Sequence, residues 1–169
     1  LAPHDKYTGT IERVAKAVRA LSTAPEEDLL VLLRRVLFTW LIADGDLHLK
    51  NMALLKIAHS GDAAFRTVRF APVYDTLTTR VFPGLAHDRM ALKLSGKDER
   101  LRRADFMALA TLAGLRAGDA QVAIEDVLQR LPYALDALVL PRALGLSADA
   151  RATVDRTFAL IRSRAVDFD

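Results

Sequence analysis

The octet Asp44-Gly45-Asp46-Leu47-His48-Leu49-Lys50-Asn51 carries more chemical content than any other stretch of this sequence. An aspartate followed five positions later by an asparagine suits phosphoryl transfer. The carboxylate takes the proton of an acceptor hydroxyl while the amide oxygen holds magnesium. Such a reaction leaves little covalent chemistry to the protein, whose work is to orient one oxygen nucleophile and clamp a cation against developing charge. Asp46 is then the base and Asn51 a neutral ligand to a magnesium ion that keeps several waters. The competing reading is a solvated turn, because Asp and Asn both favour loops.

One amide does not hold such a metal, so a carboxylate must converge from elsewhere. The candidate is Asp75, in Ala71-Pro72-Val73-Tyr74-Asp75-Thr76; its alternative is an Asx-type turn after Pro72. His48 and Lys50 could face phosphate oxygens, the lysine as a point charge, or the histidine could simply anchor the loop by hydrogen bonding. Asp44 follows an apolar helix, where negative charge is disfavoured by the helix dipole. An Asp44-x-Asp46-x-His48 metal site of a hydrolase is conceivable but leaves Asn51 and Asp75 without roles.

These residues need a scaffold. After a leading segment with Pro3 and Gly9, a helix is predicted over about 10–21. Thr23-Ala24-Pro25-Glu26 sets up a second helix start, with Thr23 as cap candidate and an early proline. The helix beyond, about 26–43, is apolar on nearly every side and belongs at the centre of an α-rich core. Two short apolar stretches, 52–58 and 65–70, separated by Ser60-Gly61-Asp62, predict a β-hairpin. A hairpin starting at Asn51 and ending near Phe70 brings both flanks to one end, so topology predicts that Asp46, Asn51 and Asp75 meet. Residues 71–98 read as irregular. Helices are predicted at about 103–113, 119–131, 133–139 and 148–166, broken by Gly114, Gly118, Pro132 and Pro141, with Ser147 capping the last. The fold class is mainly α, with one small hairpin bearing the chemistry.

The bulk properties are permissive. A chain of 169 residues, 51% hydrophobic, 7% aromatic and 27% charged, is one globular domain with a sizeable core. The net charge of +3 is compatible with phosphate-bearing partners without implying them. There is no cysteine, which excludes disulfides and thiolate metal sites. The longest apolar run, 29–43, contains Arg34 and Arg35 and is too short and charged to span a bilayer. No signal peptide precedes it. The chain opens on Leu1 without a methionine and reads as a piece of a longer polypeptide. The basic run Arg89, Lys93, Lys97, Arg100, Arg102, Arg103 is interleaved with acids and holds no aromatic residue, so it makes a poor nucleic-acid patch.

The octet, Ala71-Pro72-Val73-Tyr74-Asp75 and Ala91-Leu92-Lys93-Leu94-Ser95-Gly96-Lys97 together resemble the C-terminal region of the HipA-type serine/threonine kinases, the toxins of bacterial toxin–antitoxin pairs. Lys6-Tyr7 and Trp40-Leu41-Ile42 also match, and the resemblance covers most of residues 5 to 115. It implies a protein-kinase-like C-terminal lobe over residues 1–169, with Asp46 catalytic, Asn51 and Asp75 as magnesium ligands, and His48, Lys50 and Tyr74 lining the ATP phosphates. It further implies Mg2+ and ATP as cofactors, a cytoplasmic location, and a protein serine as substrate, an aminoacyl-tRNA synthetase in the best-known case. A small DNA-binding antitoxin would be the partner, with DNA reached only through it and no membrane involved. The sequence departs from a whole kinase in lacking a glycine-rich phosphate loop and a strand-borne lysine. The isolated chain is therefore expected to fold but to turn over ATP negligibly.

Two other readings compete. Gly45-Asp46-Leu47-His48 with Asn51 also resembles the loop of aminoglycoside and choline kinases, though those families place the second aspartate in a different context and lack the 91–97 segment. A non-catalytic lobe that only binds an antitoxin is the other, disfavoured by the intact Asp46, Asn51 and Asp75 set.

Overall fold

The computed structural model describes residues 3–58 and 60–168. A 3-10 turn, Pro3–Tyr7, leads into helix α1 (Ile11–Leu21), then α2 (Pro25–Leu41). A second 3-10 turn (Leu49–Asn51) precedes strands β1 (Leu54–Ile57) and β2 (Thr67–Phe70). A long irregular stretch leads to α3 (Arg103–Leu112), α4 (Ala117–Ala137), a 3-10 turn (Arg142–Leu144) and α5 (Ala148–Val166). The chain is thus mainly helical with one antiparallel hairpin, as the sequence predicts.

α2 is the axis of the molecule. Leu29, Leu32, Leu33, Val36, Leu37 and Leu41 are buried almost completely, and they point to more than one side of the helix. Accordingly α2 contacts α1, α3, α4, α5 and β2. Its start differs from the predicted one. Ala24 occupies the cap position without a side-chain bond, while Thr23 instead ties the hairpin, its N–H and hydroxyl both donating to Val68 O at 2.9 and 3.0 Å. The edge of β2 offers Thr23 a longer-range partner, and Pro25 at the first helical turn needs no N–H acceptor in any case.

Asp28 fastens the hairpin to α2. Its buried carboxylate accepts from Ser22 Oγ at 2.5 Å, Phe70 N at 2.8 Å and Arg69 Nε at 3.0 Å. Burial pushes this carboxyl up, but the three hydrogen bonds and the Arg69 charge outweigh it, and the net direction is down. The hairpin register pairs Leu54 with Phe70 and Ile57 with Thr67, which delivers the 3-10 turn and the chain after β2 to the same end.

Pro132 does not break a helix. α4 continues from Ala117 to Ala137 through it, because Leu131 and Leu135 on either side are both buried in the core. That burial outweighs the loss of one backbone bond. Gly118, predicted as a breaker, lies within the first turn of α4, whereas Gly114 (φ 70°) does end α3. Ser147 caps α5 as predicted, accepting from Ala150 N at 3.1 Å.

Candidate active site

The loop that carries the octet hangs from the end of α2. Ala43 adopts the left-handed conformation (φ 55°) normally reserved for glycine. Around it Ala43 N donates to Trp40 O and Asp44 N to Thr39 O, each at 3.1 Å. This double closure ends the helix abruptly and turns the chain out of the core. Thr79 clasps the turn from the irregular stretch. Its hydroxyl donates to Ala43 O (3.1 Å) and accepts from Gly45 N (3.0 Å). Gly45 sits at a close approach, where a Cβ would displace the Asp88 carboxylate.

Asp44 turns inward and is 2% exposed. Its Oδ1 accepts the Asp46 N–H at 2.9 Å, an Asx turn that aims the next aspartate outward. Burial, reinforced by the charges of Asp46 and Asp75, pushes the Asp44 carboxyl up to about 6, against the backbone hydrogen bonds of Asp46 and Leu77. Asp46 remains accessible, with its side chain 45% exposed, and lies 3.9 Å from His48 Nε2. Leu47 is fully buried beside it and pins the loop to the core. A cleft of about 610 Å³ opens in front of Asp46, walled by Tyr7, Leu77, Asp88 and Arg89.

Asn51 and Asp75 come together as topology predicts. Asn51 Nδ2 donates to Asp75 O at 3.1 Å and to Asp75 Oδ2 at 3.3 Å. The left-handed backbone of Asp75 (φ 52°) turns its chain back toward the 3-10 turn. Asn51 is 1% exposed, and its Oδ1 has no hydrogen-bond partner among the described residues. A buried acceptor left without a donor costs about 1–3 kcal/mol, and a cation satisfies it. Among the described residues no three His, Asp or Glu side chains form a metal-holding group. An amide beside one carboxylate nevertheless fits magnesium, which is commonly held by one or two protein oxygens together with water and phosphate. In the Asp44-x-Asp46-x-His48 arrangement Asp44 Oδ1 is taken by the Asp46 N–H and its buried Oδ2 has no hydrogen-bond partner among the described residues, but the three side chains do not come together as a metal-holding group.

The other predicted residues occupy the same end of the molecule. His48 is 6% exposed, its ring packed edge-on to Tyr7 with centroids 5.6 Å apart. Lys50 has an exposed side chain, and its carbonyl accepts from the Tyr74 hydroxyl at 2.7 Å. Tyr74 therefore ties the loop after β2 to the 3-10 turn.

Three contributors carry no assigned role in the sequence reading. Thr79 is one. Arg35 is the second: from inside α2 its Nη2 donates to Asn51 O at 2.5 Å and to Tyr74 O at 3.3 Å, joining the Asn51 turn and the Asp75 loop from behind. Lys6 is the third. Its ammonium is held above the ordinary range by Tyr7 first, against desolvation, with further contributions from Asp46 and Asp75. Lys6-Tyr7 is visible as a motif, but only the fold brings it to the two carboxylates. The signal for Arg35 is a charged residue, next to Arg34, within the apolar run 29–43.

The model of the HipA-like C-terminal domain matches residues 1–135. This chain belongs to the HipA-like C-terminal domain family. Among solved structures it is similar to HipA of Shewanella oneidensis MR-1, in the toxin–antitoxin complex with HipB and operator DNA. The TM-score is 0.74 at 17% sequence identity, a likeness of fold. The alignment covers 94% of this chain and 35% of the Shewanella one, so this chain spans about a third of the length of that protein. No curated protein matches the sequence. Among the described residues no helix is long and apolar enough to cross a membrane.

Proposed function

We propose that this domain is the C-terminal catalytic lobe of a serine/threonine kinase that moves phosphate from ATP to a serine of a protein. The observation that carries the reading is the Asn51–Asp75 contact with its unpartnered Asn51 Oδ1, one loop away from an accessible Asp46. Bound Mg·ATP supplies the transferable phosphate and a divalent charge. Asn51 and Asp75 hold the cation. Asp46 accepts the serine proton at its carboxylate, and its N–H bond to Asp44 together with His48 keeps that carboxylate aimed at the cleft. Lys50, His48 and Lys6 contribute positive or donor groups for phosphate oxygens, and Tyr74 steadies the Lys50 turn. The acceptor serine enters the cleft walled by Tyr7, Asp88 and Arg89. A small DNA-binding antitoxin is the proposed partner. The presence of HipB and operator DNA in the Shewanella complex supports it.

In kinases the phosphate-covering loop and its lysine come from an N-terminal lobe, so the 169-residue chain alone is proposed to turn over ATP negligibly. The test therefore uses the protein carrying both lobes and follows serine phosphorylation of a protein substrate. Asp46→Asn is expected to lower kcat by about 10²–10⁴-fold with nucleotide affinity retained, and Asp75→Asn to weaken Mg·ATP binding. Undiminished phosphorylation by the Asp46 variant overturns the proposal.

A further inference from the structure

The last turn of α2 holds no basic residue, although an acid follows it closely: Asp44 is buried just past the helix end. A cation suits such a terminus, because the closing carbonyls of a helix carry partial negative charge. The fold supplies one from a distant element. Arg164 of α5 donates from Nε to Trp40 O at 2.9 Å, and its guanidinium lies 3.8 Å from the centre of the Trp40 ring. The acceptor is shared. Trp40 O also receives the Ala43 N–H at 3.1 Å, within the left-handed turn from which Asp44 and Asp46 follow.

Stability alone gives no reason for an arginine here. Burial first, and then the charge of Arg80, push the Arg164 guanidinium down to about 10. Glu99, the acid whose charge it feels, is engaged by Arg80 at 3.2 Å and by Arg89 at 3.7 Å. A buried cation without a carboxylate of its own is expensive, and a methionine would cover the Trp40 ring without that cost. Arg164 also shares the wall of a void of about 10 Å³ with Ala43, Asp44 and Gly45. A space of that size holds at most about one water, so α5 is packed against the first residues of the loop.

We propose that Arg164 is a positioning residue: through the Trp40 carbonyl it fixes the turn at Ala43, and thereby the direction in which Asp46 enters the front cleft. Its effect on activity rests on the reading of Asp46 as the base, whereas its effect on the loop is measured without that reading. The proposal gives α5, which lies beyond the residues matched by the family model, a part in the site.

The test follows the 169-residue chain by NMR and the protein carrying both lobes by serine phosphorylation. Arg164→Met keeps the cover on Trp40 and removes the charged donor, while Arg164→Lys keeps a charged donor. In R164M the Gly45 and Asp46 amide resonances are expected to shift. Its kcat is expected to fall by about tenfold or more, as for a misplaced catalytic group, with KM for ATP unchanged. R164K should recover part of both changes. If R164M does not fold, Arg164→Gln, which keeps a neutral donor, takes its place. Ile161→Ala, at another buried position of α5, is the control for stability. It should lower the urea midpoint at least as far as R164M does, yet leave kcat and the two resonances in place. Unmoved Gly45 and Asp46 resonances in R164M, equal shifts in I161A, unchanged kcat in R164M beside an active parent, or an R164K no better than R164M each overturns the assignment. If the parent protein itself phosphorylates no protein serine, the reading of function falls, and the two resonances still decide the role of Arg164.

Discussion

Asp44 is the residue whose chemistry is most strained by its place in the fold. It is enclosed at the end of α2, where the helix dipole also opposes a negative charge. Its folded value of about 6 stands above the ordinary 3.8. Below the ordinary value the group is neutral in both states, and no penalty exists. Between the two values the folded state retains the proton that the unfolded state has lost, so stability falls as pH rises. Above about 6 the full penalty applies, about 3 kcal/mol at 1.36 kcal/mol per tenfold change in the proton equilibrium. Asp44→Asn keeps the acceptor for Asp46 N–H and removes the charge. Urea denaturation in chelator should find it more stable than the parent by up to about 3 kcal/mol at pH 8. At pH 3.5 the two proteins should be equal, and a gain independent of pH would contradict this account. Gly45→Ala tests the neighbouring close approach: the added methyl must displace the Asp88 carboxylate. A loss of about 1–3 kcal/mol is expected, the usual cost of overpacking, read by the same denaturation.

Among the elements, the hairpin is the one whose placement matters to the site, and a single carboxylate on α2 secures it. Asp28→Ala leaves Phe70 N–H, Ser22 Oγ and Arg69 without their acceptor. The expected cost is about 3 kcal/mol, that of breaking a buried charged network. Amide exchange should accelerate first in Thr67–Phe70 rather than in α4. Because the Asp28 carboxyl is held below its ordinary value, its contribution is fully present above the unfolded value near 4 and fades as pH falls through the folded one. Two helix ends make a useful contrast. α3 closes on Gly114, the residue the left-handed position favours, whereas α2 closes on Ala43. The octet thus follows a residue, Ala43, that sits just past the end of α2 in a strained left-handed conformation and is held by Thr79.

At the scale of the molecule, α5 closes the helical assembly although it lies beyond the residues matched by the family model. Phe168, just past its end, packs edge-on against Phe106 of α3 with centroids 5.4 Å apart. Arg164 lies over the Trp40 ring at 3.8 Å and donates to Trp40 O at 2.9 Å. Burial lowers the Arg164 guanidinium to about 10, which still leaves it charged at neutral pH. Phe168→Ala is expected to destabilise the whole chain by about 3–5 kcal/mol, lowering the denaturation midpoint in a single transition. If only α5 melts early, the helix is an appendage and not part of the common core.

Much of this arrangement was legible in the sequence. The apolar run 29–43 dictated a central helix, because no single-sided burial could cover its leucines. The hairpin pattern with Asn51 before it and Asp75 after it dictated that an amide and a carboxylate meet. Local chemistry predicted the Ser147 cap, and it also predicted a break at Pro132 that tertiary burial of Leu131 and Leu135 overrode. The sequence by itself did not reveal that Thr23 serves β2 instead of α2. Nor did it show that Thr79, 36 residues from Ala43, holds the loop, or that Arg35 spans Asn51 and Tyr74. Spacing along the chain determines which groups share a face of a helix or strand. Which donor finds which carbonyl across the fold depends on how the elements pack, and only the tertiary structure decided that.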